Sequence, residues 1–325
     1  MTRMGRASFS VDIPTDVFFG TLGAMLAVGI TAIAVAVIVQ LVSTWRAAPR
    51  EKLVNRYALK LNLMVSDELR PALAQHLAVR VRGGLLGALA AVVAIVVLFM
   101  PWGIAPIDFG LATSIVSLGS ALLFTQVGTI IGGAVARRSM PTGEKVARVH
   151  SIGLAELVAP VERRMAAVAT VLAIALATML LIVVSLTGAE TSPMIAASAA
   201  PLALIGLATG GLLLLLPLIA RRLVARRALL GDAGALAWSD ALAAQTLRDL
   251  HWFVAAIGGL TAFSALQALG VAVPSDANVA TMIWINISGY AALLGLLLVV
   301  AIVLTRSPER HVQRALWPEF AIVSP

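Results

Sequence analysis

Four acids in or beside arginine-bearing segments, Glu156, Glu162, Asp240 and Asp249, are the residues from which this chain could assemble general acid–base chemistry. Paired in one cleft near a membrane surface, they would suit a lipid or prenyl substrate. The histidines offer less. His76, His150, His251 and His311 never stand three or four residues apart, and HExxH spacing is missing, so no metal site is expected. The chain has no cysteine, which removes disulfides, thiolate metal ligands and thiol nucleophiles together. There is no GxSxG elbow, no P-loop and no GxGxxG after a strand. Ser288 precedes Gly289 in an apolar stretch, but no neighbouring apolar stretch carries a histidine that could act as its base. These residues point away from an enzyme, and no cofactor is expected.

Uncharged polar groups are the other candidates. Gln126, Gln267 and Asn286 fall inside apolar stretches and are the residues expected to line a ligand cavity, if one exists. Thr261 and Ser264 share a face with Gln267, and Ser288 and Gly289 follow Asn286. Ordinary hydrogen bonding between helices is the competing use of all these groups, worth on the order of 0.6 kcal/mol a pair. Small residues form a narrow face over Ser114, Ser117, Ala121, Thr125, Gly128 and Gly132. Gly128 with Gly132, and Gly206 with Gly210, are GxxxG pairs, which let helices approach closely where hydrophobic drive between them is absent.

The elements that must position these groups are apolar stretches near 17–42, 84–100, 109–136, 166–187, 194–219, 252–273 and 279–305. A helix needs about 20 apolar residues to cross a bilayer, and irregular backbone cannot face lipid, so seven transmembrane helices are expected. With 60% hydrophobic and 12% charged residues and a mean hydropathy of +0.97, the chain cannot hide its apolar surface in one soluble core. The first stretch exceeds a signal-peptide core of about 7–15 residues and reads as an uncleaved helix. No acidic or basic side chain stands near the middle of any stretch, which argues against proton-coupled carriers and voltage sensors.

All but Arg3 and Arg6 of the 24 basic residues fall in alternate gaps, at 43–83, 137–165 and 220–251 and in the tail 306–325. Basic residues stay on the cytoplasmic side, so the expected topology is N-terminus out and C-terminus in. The same bias accounts for the pI near 11.1, and no nucleic-acid partner is expected. Arginine outnumbers lysine 21 to 3 in an alanine-rich chain, a usage that suggests a bacterial source.

The inner segments carry helical patterns of their own. Val54, Tyr57, Ala58, Leu61 and Met64 recur at helical spacing, and Ser66-Asp67-Glu68 and Ser239-Asp240 read as helix starts. Pro71 is tolerable only in a first turn. Each inner helix followed by a membrane hairpin suggests a weak threefold repeat over 51–138, 142–227 and 232–306. Pro201 and Pro217 are candidate kinks, and Trp45, Trp102, Trp238, Trp252 and Trp284 suit membrane interfaces.

The expected protein is an all-α, polytopic integral protein of the bacterial cytoplasmic membrane. Its expected role is a non-enzymatic component of a multi-subunit transport or export system, docking a cytosolic partner through segments such as 66–82, 142–162 or 239–250. A membrane sensor or regulatory scaffold is the alternative, and a lipid-modifying enzyme a third. Besides the lipid bilayer, a cytosolic protein or a second copy of the chain is the expected partner.

Overall fold

The computed structural model describes residues 31–99, 110–138, 152–187, 193–224, 233–272 and 310–320. The elements there are helices: α1 (Thr31–Ser43), α2 (Ala47–Leu61), α3 (Arg70–Phe99), α4 (Gly110–Arg138), α5 (Leu154–Leu157), α6 (Pro160–Thr187), α7 (Pro193–Val224), α8 (Ala233–Ala272) and α9 (His311–Leu316). A short 3₁₀ turn, Pro318–Phe320, follows α9. Five helices (α3, α4, α6, α7 and α8) are long and apolar enough to cross a membrane, and α1 with α2 would make a sixth, bent span. The chain is a multi-pass, all-helical membrane protein. The expected crossing at 279–305 and most of the one at 17–42 lie outside the described residues.

Two expected boundaries fall inside continuous helices. The sequence pattern separates an inner helix at 66–82 from a crossing at 84–100; the structure runs one helix from Arg70 to Phe99, with Pro71 in its first turn. Gly83 and Gly84, natural breakers, stay helical because α4 packs onto them. A Cβ on Gly83 would run into the carbonyl of Gly128, and one on Gly132 would stand 2.8 Å from the carbonyl of Val79. Each helical glycine costs about 1 kcal/mol relative to alanine, and backbone-to-backbone packing offsets it.

Likewise, Ser239-Asp240 does not start a helix. α8 begins at Ala233 and runs 40 residues without a break. At 1.5 Å per residue it is about 60 Å long, twice the hydrocarbon thickness of about 30 Å. The expected crossing at 252–273 therefore covers only the second half of this helix. α6 also starts earlier than the expected 166, at Pro160, where a first-turn proline gives up no helical hydrogen bond. α7 passes through Pro201 and Pro217 as one helix.

Residue pairings fix the directions of the helices. Gly83 meets Gly128 and Gly132 while Gly87 meets Phe124, so α3 and α4 are antiparallel. Gly206 faces Ala173, Gly210 faces Thr170, and Leu216 clusters with Ala166 and Val254. Gly258 abuts Ala169. α3, α6 and α8 therefore run one way, and α4 and α7 the other. Every described helix end that carries arginines comes to the same end of the bundle.

That end is a packed cap. Val54, Ala58 and Leu61 of α2 join Leu63, Leu69, Leu73 and Leu77, and all of them pack on Ala235, Trp238 and Leu242 of α8. Leu157 of α5 and Val158 after it join Ala220, Ala244 and Leu247, with Val312 of α9. The apolar faces read as docking surfaces at 66–82 and 239–250 are thus covered by one another. Asn62 ends α2 with a φ of 58°, and its backbone N–H and that of Leu63 take up the last helical carbonyls.

Candidate functional site

Adjacent residues on α8 carry opposite charges, and the helix aims them at different neighbours. Arg248 and Asp249 are about 100° apart around the axis. Asp249 pairs with Arg80 of α3, each side chain 15% exposed, and Arg80 also donates to the Tyr57 hydroxyl at 3.3 Å. Arg248 forks onto Glu162 of α6, with Nε 2.9 and 3.0 Å from the two carboxylate oxygens and Nη2 2.9 Å from Oε1. The Glu162 side chain is only 1% exposed, and the Trp252 indole donates to it at 3.1 Å. Gln126 of α4 donates to the Asp249 carbonyl at 3.2 Å, so three helices, α3, α4 and α6, meet on one turn of α8.

Position explains why charges are tolerated here. Arg80, Glu162 and Arg248-Asp249 all precede the apolar part of their own helix, at the level where the cap meets the membrane region. A buried ion that lacks a partner costs several kcal/mol; each acid here has a guanidinium, and Glu162 has the Trp252 indole as well. The space beside the network, lined by Glu162, Met165, His251, Trp252 and Ala255, is too narrow to admit a water molecule. The His251 ring uses Nδ1 on the Leu247 carbonyl at 2.7 Å. Chemically the arrangement can fasten helices; it presents no free carboxylate to a substrate.

The four acids expected to pair in a cleft do not converge. Glu162 and Asp249 are engaged by different arginines. Asp240, fully buried, accepts the Trp317 indole N–H at 3.1 Å, and Glu156 accepts the N–H of Gly153 at 3.0 Å. Among the described residues no three His, Cys, Asp or Glu side chains group as metal ligands. His76 is buried against Ala136 and Arg137, and its Nδ1 has no partner among the described residues; His311 lies 3.1 Å from the Ala155 carbonyl; and His150 is outside the described residues.

Of the expected cavity residues, Gln126 and Gln267 are described, and these two do not come together. Gln126 is spent on Asp249, whereas Gln267 stands 18 residues further along α8, about 27 Å away. The buried Nε2 of Gln267 has no partner among the described residues, and Asn286 lies outside them. Gly128 and Gly132 sit in backbone contact with Gly83 and Gly87. The Gly206–Gly210 pair is looser: an added Cβ would stand 3.4 Å from the Ala173 carbonyl and 3.1 Å from Ile174. Trp238 is not interfacial, since it is buried in the cap and donates to the Met64 carbonyl at 2.7 Å.

Sequence reasoning misses the arginine partners because Arg80, Glu162 and Arg248 look like ordinary topology charges. The available signal is the Arg248-Asp249 step directly before an apolar run that needs no acid for topology. Gly83, Gly87 and Gly258 are missed for want of any cue to what faces them. Comparison with protein-family profiles, characterised proteins and solved structures finds no match to this chain.

Proposed function

We propose that this protein is a non-enzymatic membrane component of a multi-subunit bacterial transport or export system and holds a cytosolic partner at its arginine-rich end. One observation carries the reading: the buried acids that could have served catalysis are each engaged by arginine or tryptophan inside a packed cap, whose outer surface keeps its basic residues. Such a cap is a rigid platform joined to membrane helices by continuous α3 and α8. Partner recognition falls mainly to polar and basic outer faces, because the apolar faces of 66–82 and 239–250 pack against each other.

The proposed topology is seven crossings in the cytoplasmic membrane, N-terminus out and C-terminus in. It is supported by the shared end of the arginine-bearing segments and by the C-terminal residues 310–320. These pack beside Asp240, about 48 Å along α8 from Ala272. The test is affinity purification after mild detergent extraction. A cytosolic protein recovered at fixed stoichiometry supports the reading, and repeated recovery of the chain alone refutes it.

A further inference from the structure

The corner between α1 and α2 is built unlike the rest of the cap. α1 is exposed on nearly every side although it is apolar, with Ile33, Val35, Ile38, Val39 and Val42 between 46% and 63% exposed; hydrocarbon is the surrounding that suits it. At Thr44–Arg46 the chain turns by 95° into α2. Arg82 holds the turn, donating to Thr44 Oγ1 at 3.0 Å and to the Thr44 carbonyl at 2.9 Å while stacking 4.2 Å over the Trp45 ring. Arg50 donates to the carbonyls of Thr44 and Trp45 at 3.0 and 3.2 Å. These bonds satisfy orphan carbonyls at the end of α1. Arg82 directly precedes the apolar run of α3 that follows Gly83 and Gly84.

The outer face of α2 at this corner mixes charge with apolar surface. Ala48, Lys52, Arg56 and Leu59 lie within about 80° of one another around the helix, opposite the buried Val54, Ala58 and Leu61. Leu59 is 62% exposed amid these basic residues, and Trp45 is 66% exposed at the corner beside the exposed Arg46. Exposed leucine and tryptophan set among basic residues are the composition that suits a face resting on headgroups.

We propose that this corner is a binding surface for anionic phospholipid headgroups, with Arg46, Lys52 and Arg56 meeting the phosphates and Trp45 and Leu59 settling among the acyl carbonyls. The inference does not depend on which protein docks elsewhere on the cap. Each basic residue near an anionic surface strengthens attachment about fivefold, so three together contribute on the order of 100-fold.

The absence of cysteine makes the test direct. Ala48→Cys carries an environment-sensitive fluorophore in the full-length protein, reconstituted in nanodiscs of phosphatidylcholine alone or mixed with phosphatidylglycerol. Immersion of the label, read by blue shift and by quenching from lipid-borne nitroxides, is expected only in the anionic discs. It is expected to be lost in about 1 M salt, where the screening length falls to about 3 Å. Neutralising Arg46, Lys52 and Arg56 to Gln, all exposed and so compatible with the fold, is expected to return the label to water. A label equally wet or equally immersed in both lipids overturns the proposal. So does a label shielded only when an acidic cytosolic protein is added, which would assign the face to that protein.

Discussion

Replacing Glu162 by Gln keeps the shape of the side chain and removes its charge, so the loss falls on Arg248. That guanidinium is 12% exposed and forked onto a carboxylate that is 1% exposed, with Trp252 as a further donor. Neither partner can swing into water without unpacking α6 from α8. Breaking such a buried pair on one side costs about 3–5 kcal/mol, and the remaining amide oxygen can still accept one bond, which sets the expected loss near 3 kcal/mol. Replacing both Glu162 and Arg248 by Met leaves no stranded charge and is expected to lie within about 1 kcal/mol of the parent. Equilibrium unfolding in mixed micelles, following tryptophan fluorescence, measures both variants and gives their coupling. A Glu162→Gln protein as stable as the parent would show that water reaches the pair and that the cap is not sealed around it.

Three further outcomes follow from the packing. Gly83→Leu is expected to separate α3 from α4 and to destabilise by more than about 2 kcal/mol, whereas Gly211→Ala, with open space around it, is expected to be neutral or slightly stabilising; size-exclusion profiles after heating distinguish them. Trp317→Phe removes the indole bond to buried Asp240, and trypsin is then expected to cut at Arg314 several-fold faster, measured by mass spectrometry of the released peptide. Reporter fusions after Arg138, Arg227 and Arg314 are all expected to report the cytoplasm; a periplasmic signal from any of them overturns the proposed topology.

Much of the scaffold is readable from residue types. Twenty-residue apolar runs in a charge-poor chain have few conformations open to them, because lipid leaves no partner for an unpaired backbone amide. The small face ending in Gly128 and Gly132 likewise announces a close helix approach. What it approaches, Gly83 and Gly87, cannot be read, since glycines before an apolar run look the same whether they end a helix or admit another. Gln126 needs a partner at depth, but its sequence neighbours give no means of choosing the Asp249 carbonyl over Gln267 or Asn286.

Chain order alone determined the helical class and the gathering of arginines at one end, since both follow from local transfer free energies that each segment carries with it. Tertiary structure alone decided that the inner helices of α3 and α8 continue into the membrane region, that their apolar faces cover each other, and that Arg248 and Asp249 part toward α6 and α3. Those outcomes depend on which side chains stand opposite across helices, and burial makes an ion pair stable only once both partners and their donors are in place.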